Sequence, residues 1–223
     1  MMRDTPFSAT IASPYWLEDA PLRPLGAAAL PKSADLVVVG SGYTGLSAAI
    51  EAARGGMSVL VLERGLIGAG CSTRNGGQVG PSIKPELGKL TALHGEGLAK
   101  RIRDEGYAAL ANVQDMIAKF GIDCDWRQTG RYLAAHSPKQ FEGLERLAEA
   151  RRRAGEPDLH IVPQSDQLRE LGSDRYFGGA VSLNTGAVQP AKLHAGLLRV
   201  AESLGVSVQG GSEVTGIQRD GAG

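Results

Sequence analysis

The pattern of apolar and polar residues near the start of the sequence predicts one compact supersecondary unit. Short apolar runs predict buried strands at residues 35–39 and 58–62. Between them, residues 43–54 are predicted to form a helix, which ends at Gly55 and Gly56. A strand, a glycine-rich turn, a helix and a second strand in this order make a βαβ unit, in which the two strands are parallel.

The later part of the sequence alternates between predicted helices and predicted strands. Apolar residues at helical spacing predict helices over residues 109–120, 165–171 and 190–204. Further strands are predicted at residues 131–135, 176–183, 206–209 and 213–217. A chain that mixes helices with strands around a βαβ unit is predicted to be an α/β protein.

One further helix has a strong start signal. Ser137 is a predicted N-cap, Pro138 fits the first helical position, and Gln140 is able to reach back towards the cap. The helix ends at the basic residues 151–153, which we interpret as a solvated helix end rather than an anion site. Four residues are predicted to face the core: Phe141, Leu144, Leu147 and Ala148.

Two segments show no periodic pattern. Residues 1–33 carry several prolines and are predicted to form an extended arm, anchored by Tyr15 and Trp16. Residues 65–85 are rich in Gly, Ser, Thr and Asn and are predicted to form a long loop. Because loops of this length in compact domains are usually functional, this segment is a candidate binding loop.

The charge balance of the sequence disfavours nucleic acid and membranes as partners. The 223 residues include 24 basic and 24 acidic side chains, so no net field would attract nucleic acid or an anionic membrane. The start of the sequence does not resemble a signal peptide, and no apolar run reaches membrane-spanning length. We therefore expect a soluble protein.

The cysteines and histidines indicate neither a disulfide framework nor a metal site. Cys71 and Cys124 have no neighbouring ligand spacing, which favours a reducing, cytoplasmic location. The four histidines have no metal-ligand or catalytic-triad spacing, and we expect all of them at the surface: His94, His136, His160 and His194.

The glycine-rich turn after the first predicted strand indicates a dinucleotide site. Gly40 permits a tight turn, Gly42 permits close approach of a pyrophosphate, and Gly45 permits close packing of helix on strand. The N-terminus of the following helix points amides and a positive dipole end at the phosphates. Glu63, at the end of the second strand, is placed to bind ribose hydroxyls and disfavours the 2′-phosphate of NADP.

A second motif distinguishes FAD from NAD. Residues 68–78 are rich in Gly, Ser, Thr and Asn and follow Glu63 closely. An NAD site has no need of such a loop, whereas a flavin requires its ribityl chain and ring to be fixed by backbone amides and small polar side chains. This loop therefore disfavours an NAD-dependent dehydrogenase.

Together, these motifs resemble the amine- and D-amino-acid-oxidase-like FAD-dependent oxidoreductases, particularly the bacterial branch that contains gamma-glutamylputrescine oxidoreductases. The resemblance covers nearly the whole chain. It implies a Rossmann-like FAD-binding βαβ domain with part of a mixed-sheet substrate domain. The stretches that carry it are residues 13–16, 34–49 with Glu63, 70–77, and 186–190 continuing to 213–214.

The resemblance also implies a set of FAD-binding residues. The pyrophosphate would be held by Gly40, Ser41, Gly42, Thr44 and Gly45, and the adenosine by Glu63 and Arg64. The loop along the pyrophosphate, ribityl chain and flavin edge would comprise Ser72, Thr73, Arg74, Asn75, Gly76 and Gly77, with Gln78 and Val79 approaching the ring. The backbone of Val214 would meet the adenine. The resemblance identifies no catalytic base in this chain.

Four segments correspond to the domains that the resemblance implies. Residues 1–33 are the arm, 34–90 the first part of the FAD-binding domain, 91–185 a portion of the substrate domain, and 186–223 a return to the FAD-binding domain. Relatives continue for a comparable length beyond this point, so the sequence is expected to be the N-terminal part of such an enzyme.

Two functions of different kinds therefore remain open. The first is a flavoenzyme that oxidises the C–N bond of a small amine or amino acid and requires the missing half. The second is an FAD- or nucleotide-binding module, or a non-catalytic fragment, that associates with a partner such as a complementary C-terminal chain. The edge of the strand predicted at 213–217 would be free for such an association.

Overall fold

The structure is a computed structural model that describes residues 13–24, 29–156 and 158–219. The first residues of the predicted arm, and the last of the predicted return segment, lie outside the described residues.

The described part of the arm begins with a short 3-10 helix, Tyr15–Leu17. Trp16 donates a hydrogen bond from Nε1 to the backbone oxygen of Asn75, at 2.8 Å. Tyr15 is 70% exposed and contacts the ring of Trp16 edge to face. Because only the indole has a partner on the domain surface, Trp16 is an anchor of the arm and the prediction for Tyr15 was wrong.

The chain divides into two compact units. The first unit comprises residues 1–77, 117–124 and 189–223, and the second unit comprises residues 78–116 and 125–188. These boundaries differ from the predicted domain boundaries near residues 90 and 186. The functional assignment of the domains stays a prediction.

The first unit contains the predicted βαβ arrangement. Strand β1 (Leu36–Val39) leads into helix α1 (Tyr43–Arg54), and strand β2 (Val59–Leu62) lies parallel to β1. A further parallel strand (Ser207–Gln209), β8 in chain order, pairs with the other side of β2. The strand order is therefore β1, β2, β8, which confirms the predicted α/β fold with a parallel sheet.

A helix near the end of the chain fills the core of the first unit. This helix, Pro190–Ser203, is α5 in chain order and packs against α1. It starts as its sequence dictates, because Pro190 occupies the first helical turn and the side chain of Gln189 accepts the Lys192 N–H at 2.9 Å. The core around it includes Leu46, Ile50, Val61 and Ala201, which are fully buried.

The described residues of the second unit form two antiparallel sheets, three α-helices and a short 3-10 helix. Strands β3 (Gln78–Val79) and β7 (Gly186–Ala187) form a short pair. The larger sheet has the order β4, β6, β5, formed by Arg131–Ala134, Gly179–Ser182 and Leu159–Val162. The helices are α2 (Leu87–His94), α3 (Glu96–Lys119, whose last residues fall in the first unit) and α4 (Pro138–Arg153).

Two predicted helices differ from the observed ones. Helix α3 begins at Glu96, well before the predicted start at residue 109, because its first turns carry too few apolar residues to show helical spacing. The short helix predicted over residues 165–171 is a 3-10 helix with slightly different bounds, Gln164–Arg169.

Helix α4 has the predicted start but not the predicted burial. Ser137 Oγ accepts the N–H of Gln140 at 3.2 Å, which confirms the N-cap. The side chain of Gln140 accepts the N–H of His136 at 2.7 Å. No residue of α4 is fully buried, however, and Leu147 is 38% exposed. The helix contacts its unit mainly along β5 and β6, which leaves much of its surface exposed to solvent.

The strand predicted at residues 213–217 is absent from the structure. These residues are described but form no strand, because no neighbouring backbone among the described residues pairs with them. The strand edge that the sequence predicted there is therefore not available. Elsewhere, the strand predicted at 176–183 is shortened to the four residues that pair with both β4 and β5.

No helix among the described residues combines the length and apolar character needed to cross a lipid bilayer.

The close packing of α5 predicts a large effect of one added methyl group. A Cβ at Gly196 would overlap Cγ2 of the buried Ile122. We expect Gly196→Ala to lower the free energy of unfolding by about 1–3 kcal/mol, because the core has no space for the methyl group. Urea unfolding followed by circular dichroism measures this change.

Gly143→Ala is the matched control for this experiment. Gly143 also lies inside a helix, but its nearest neighbour would be 3.9 Å from an added Cβ. We expect this variant to be neutral or to gain up to about 1 kcal/mol from helix propensity. Equal effects of the two substitutions would contradict the packing described for Gly196.

Candidate cofactor-binding site

The glycine turn after β1 has the geometry that its sequence predicts. Gly40 has a φ of 97°, a conformation that side chains other than glycine rarely adopt, and its N–H donates to the backbone oxygen of Leu62 at 2.8 Å. A Cβ at Gly45 would overlap the backbone oxygen of Gly40 and would lie 3.2 Å from Val38 Cγ1. The absence of both side chains brings the N-terminus of α1 against the end of β1.

The N-terminus of α1 faces a second loop. Gly42 is the N-cap of α1 and supplies no side chain to cap it. The N–H of Tyr43 donates to Ser72 Oγ at 3.0 Å, and a Cβ at Gly42 would lie 3.1 Å from the same oxygen. Ser72 thus connects the two glycine-rich loops that the sequence singled out. Unpaired amides at a helix N-terminus favour an anion.

Glu63 at the end of β2 is bound to the glycine turn. Its Oε2 accepts the N–H of Ser41 at 3.0 Å and the Ser41 hydroxyl at 2.9 Å, while its Oε1 accepts the N–H of Gly65 at 3.2 Å. Burial alone would raise the pKa of this carboxyl, but the hydrogen bonds from Ser41 and Gly65 outweigh it. Together with the Arg64 charge they lower the pKa below its usual value. Glu63 is therefore ionised at neutral pH.

The second loop is held by its own polar side chains. A short 3-10 helix, Cys71–Thr73, lies within it. The buried Thr73 donates its hydroxyl to the backbone oxygen of Gly68 at 2.6 Å. Asn75 Oδ1 accepts the N–H of Gly77 at 2.8 Å, and its Nδ2 donates to the backbone oxygens of Cys71 and Ser72 at 3.1 and 3.0 Å. This arrangement fixes the loop without a ligand.

The first unit brings together nearly all the residues predicted to bind the cofactor. In the glycine turn and at the end of β2 it contains Gly40, Ser41, Gly42, Thr44, Gly45, Glu63 and Arg64, and in the second loop it contains Ser72, Thr73, Arg74, Asn75, Gly76 and Gly77. Thr44, Arg64, Arg74 and Gly76 are exposed, so they are accessible to a ligand.

Val214 lies apart from this group in the chain, and Gln78, which follows Gly77 directly, falls in the other unit. Val214 belongs to the first unit and is half-buried in an extended segment. Just before it, the N–H groups of Gly211 and Ser212 donate to the backbone oxygens of Gly65 and Glu63 at 3.0 and 2.8 Å, which holds this segment beside Glu63. Gln78 starts β3 and belongs to the second unit.

The prediction that all four histidines lie at the surface was wrong for His194. Its side chain is 3% exposed, and Nε2 lies 2.7 Å from the backbone oxygen of Ser41. The other three histidines are exposed. Helical spacing was the available signal, because His194 lies on the face of α5 that also carries Pro190 and Leu197, both buried.

Tyr43 is a second residue that sequence reasoning missed. Its hydroxyl donates to the backbone oxygen of Pro190 at 2.8 Å and so connects α1 with the start of α5. Burial raises the pKa of this hydroxyl to about 12, so it remains protonated. Residue 43 is one of the unspecified positions of the glycine motif. Nothing in the sequence pattern therefore singled out Tyr43.

Comparison with known proteins identifies the family. Residues 35–223 match the family model described as FAD dependent oxidoreductase. The chain belongs to this family of FAD-dependent oxidoreductases. FAD is therefore the cofactor of the family, as the second glycine-rich loop predicted.

The relatives of this FAD-dependent oxidoreductase are longer proteins. The chain is 34% identical to gamma-glutamylputrescine oxidoreductase from Escherichia coli over 82% of its own length and 43% of that protein. It is 30% identical to the probable oxidoreductase OrdL from Haemophilus influenzae over 78% of its own length and 41% of that protein. The chain thus spans less than half of the length of these relatives.

A solved structure supports the fold. L-amino acid deaminase from Proteus myxofaciens, in complex with anthranilate, superposes with a TM-score of 0.72 at 24% identity. The match covers 91% of this chain and 43% of that protein. At this level of identity the likeness shows the fold alone.

The hydrogen bonds between Glu63 and Ser41 predict that the stability of the fold depends on pH. Because the folded-state pKa of Glu63 is lower than its usual 4.5, the ionised carboxylate stabilises the fold above pH 4.5, and this contribution is lost as the pH falls through the folded-state value. We expect Glu63→Gln to lower the urea midpoint at neutral pH, and the difference from wild type to shrink below pH 4.5. Circular dichroism at a series of pH values measures it.

Glu213→Gln is the control for this pH series, because Glu213 is an exposed glutamate of the same unit. It should have no effect on the midpoint at any pH. A Glu63→Gln effect that is the same at all pH values would show that the charge of the carboxylate is irrelevant.

Proposed function

We propose that the first unit binds the adenosine and pyrophosphate of FAD in an oxidoreductase that acts on the C–N bond of a small amine or amino acid. The observation that supports this proposal most strongly is the hydrogen bond from the Tyr43 N–H to Ser72 Oγ, because it joins the two loops that an FAD pyrophosphate would need. A lone glycine-rich turn would be far weaker support.

The donors and acceptors of the site fit the chemistry of FAD. Gly42 and Gly45 have no side chains that would crowd Ser72 Oγ and the backbone oxygen of Gly40, beside the positive end of α1. Glu63 Oε1 receives one N–H, from Gly65, and a carboxylate oxygen has room for a second donor such as a ribose hydroxyl. The exposed Arg64 and Arg74 add positive charge near the two loops.

In this proposal the residues of the first unit bind and orient the cofactor. Gly40, Ser41, Gly42, Thr44 and Gly45 hold the pyrophosphate, Glu63 and Arg64 the adenosine, and Val214 meets the adenine. Residues 72–77 and Gln78 hold the ribityl chain and the flavin edge. When bound, FAD supplies the acceptor for the two electrons of C–N bond oxidation, and the protein contributes orientation and exclusion of water.

The substrate class is inferred from the relatives. The E. coli relative is named for gamma-glutamylputrescine, and the solved structures include L-amino acid deaminases and glycine oxidases. These names support a small amine or amino acid as the substrate of the whole protein. In the same proposal, the second unit is part of the substrate domain. The low cysteine content of the sequence, Cys71 and Cys124 only, supports a cytoplasmic location.

We also infer that strand β1 takes a further parallel strand in the active protein. Val37 and Val39, on one face of β1, are 49% and 63% exposed, and among the described residues β1 pairs only with β2. In doubly wound sheets the strand order runs 3-2-1-4, so the position beside the first strand belongs to a strand from later in the protein. A complementary segment equivalent to the rest of the longer relatives fits this position.

Visible absorbance of the purified protein tests the flavin proposal. We expect FAD to remain bound after gel filtration, and an amine such as gamma-glutamylputrescine or glycine to bleach the flavin under anaerobic conditions once a complementary C-terminal segment is supplied. Gly45→Ala should abolish binding, because the new Cβ would overlap the backbone oxygen of Gly40. Gly65→Ala is the matched control, because a Cβ there meets no atom within 4 Å.

The outcomes of this experiment separate the two functions. Bound flavin that no amine bleaches would support a nucleotide-binding module without oxidase activity. Wild-type protein that binds no FAD would overturn the proposal for this chain. Equal flavin content in Gly45→Ala and wild type would show that the glycine turn does not bind the flavin.

The free edge of β1 predicts self-association of the chain when it is purified alone. An exposed apolar strand edge pairs readily with another chain. We expect Val39→Lys to reduce the association measured by gel filtration with light scattering. Met57→Lys, at a residue of the same unit that is 52% exposed but outside the sheet, should have no effect. A monomeric wild-type chain whose β1 amides resist hydrogen exchange would contradict the inference.

A further inference from the structure

The buried histidine of α5 has a defined ring state. His194 Nε2 lies 2.7 Å from the backbone oxygen of Ser41, and a carbonyl oxygen is only an acceptor. Nε2 must therefore carry the proton and donate it. Burial lowers the pKa of His194 below its usual 6.5, although the Ser41 carbonyl and Glu63 act in the opposite direction. The ring is thus neutral at neutral pH, in the tautomer with hydrogen on Nε2.

The hydrogen bond to Ser41 also fixes the direction of the next amide. The carbonyl of Ser41 and the N–H of Gly42 belong to one planar trans peptide, so they point in opposite directions. With the carbonyl directed at His194, the Gly42 N–H is directed away from it. No acceptor among the described residues takes this N–H. It is one of the amides that the proposed function assigns to the pyrophosphate.

His194 completes the fixation of Ser41. The other two polar groups of this buried residue, its N–H and its hydroxyl, are both bound to Glu63 Oε2. The carbonyl would otherwise be the one polar group of Ser41 free to rotate with the peptide plane. Glu63, which follows β2, and His194 of α5 therefore hold Ser41 of the glycine turn from different directions.

The same ring lies against the second loop. A Cβ added at Gly68 would be 2.9 Å from His194 Cε1 and 3.0 Å from Nδ1, so the ring occupies the space that a side chain there would need. The backbone oxygen of Gly68 accepts the Thr73 hydroxyl. His194 therefore contacts both loops of the candidate site from the side of the core.

We propose that His194 is a positioning residue for the FAD pyrophosphate, which it aligns through the Ser41–Gly42 peptide without touching the cofactor. This inference rests on the proposed FAD binding. It adds a residue from α5 to a site that the sequence motifs confine to the two loops. The role requires a hydrogen-bond donor at position 194, whereas a purely structural role would require only a side chain of suitable volume.

Two substitutions of equal length separate these roles. Gln retains an N–H donor and Met lacks one, while both side chains have similar volume. We expect His194→Met to weaken FAD binding about tenfold or more, because a buried carbonyl loses its donor, and His194→Gln to stay within about threefold of wild type. Fluorescence titration with FAD measures the affinities. His160→Met and His160→Gln, at an exposed histidine of β5, are the controls and should match wild type.

Hydrogen exchange of the FAD-free protein provides an independent readout. The amides of Ser41 and Tyr43, which donate to Glu63 and Ser72, should exchange faster in His194→Met and recover in His194→Gln. Amides in the middle of α5 should change little in either variant. Equal behaviour of the Met and Gln variants, in FAD affinity and in exchange, would overturn the proposal.

The ring state of wild-type His194 provides a test that needs no variant. Ring nitrogen chemical shifts in NMR should show hydrogen on Nε2 and a neutral ring at neutral pH. Hydrogen on Nδ1 instead would overturn the proposal even if His194→Met failed to fold. If wild type binds no FAD, the proposed function fails, while the exchange and tautomer measurements still decide whether His194 holds the glycine turn.

Discussion

The double hydrogen bond from Ser41 to Glu63 is the constraint on which the site depends. It connects the turn after β1 with the end of β2, so the carboxyl ends of two parallel strands are held together at the N-terminus of α1. The carboxylate is ionised, which makes both bonds charge-assisted and therefore stronger than bonds between neutral groups. Open α/β sheets bind ligands at this end of their strands.

The second glycine-rich loop packs on the glycine turn that Ser41 and Glu63 hold, and it is held further by hydrogen bonds of its own. Ser72 reaches the Tyr43 amide only because the glycine turn leaves α1 without a side-chain cap, and the internal bonds of Asn75 and Thr73 hold Ser72 in place. Trp16 binds the outer side of the same loop through the Asn75 carbonyl. A loop that is ordered before a ligand arrives loses less conformational entropy on binding, so this arrangement favours affinity.

The sequence predicted correctly those features whose determinants are neighbouring residues in the chain. The turn at Gly40, the start of α4 at Ser137 and the bounds of α1 follow from backbone freedom and capping, which depend on neighbouring residues only. The predictions of a strand at 213–217 and of a buried Leu147 were wrong, because strand pairing and burial need partners from distant parts of the chain. The helical spacing of His194 indicated its burial and was overlooked, whereas its partner Ser41 is remote in sequence and left no local signal.

The location of these contacts has a consequence for the proposed function. Among the described residues, the hydrogen bonds that hold the two loops join residues of the first unit, while Gln78, one of the two residues predicted to approach the flavin ring, belongs to the second. In the proposed function, residues of the first unit therefore supply the hydrogen bonds that hold the two loops for the nucleotide half of FAD. In that proposal, substrate preference can change with little effect on cofactor binding, which fits a relative and structural neighbours whose names carry different amines and amino acids.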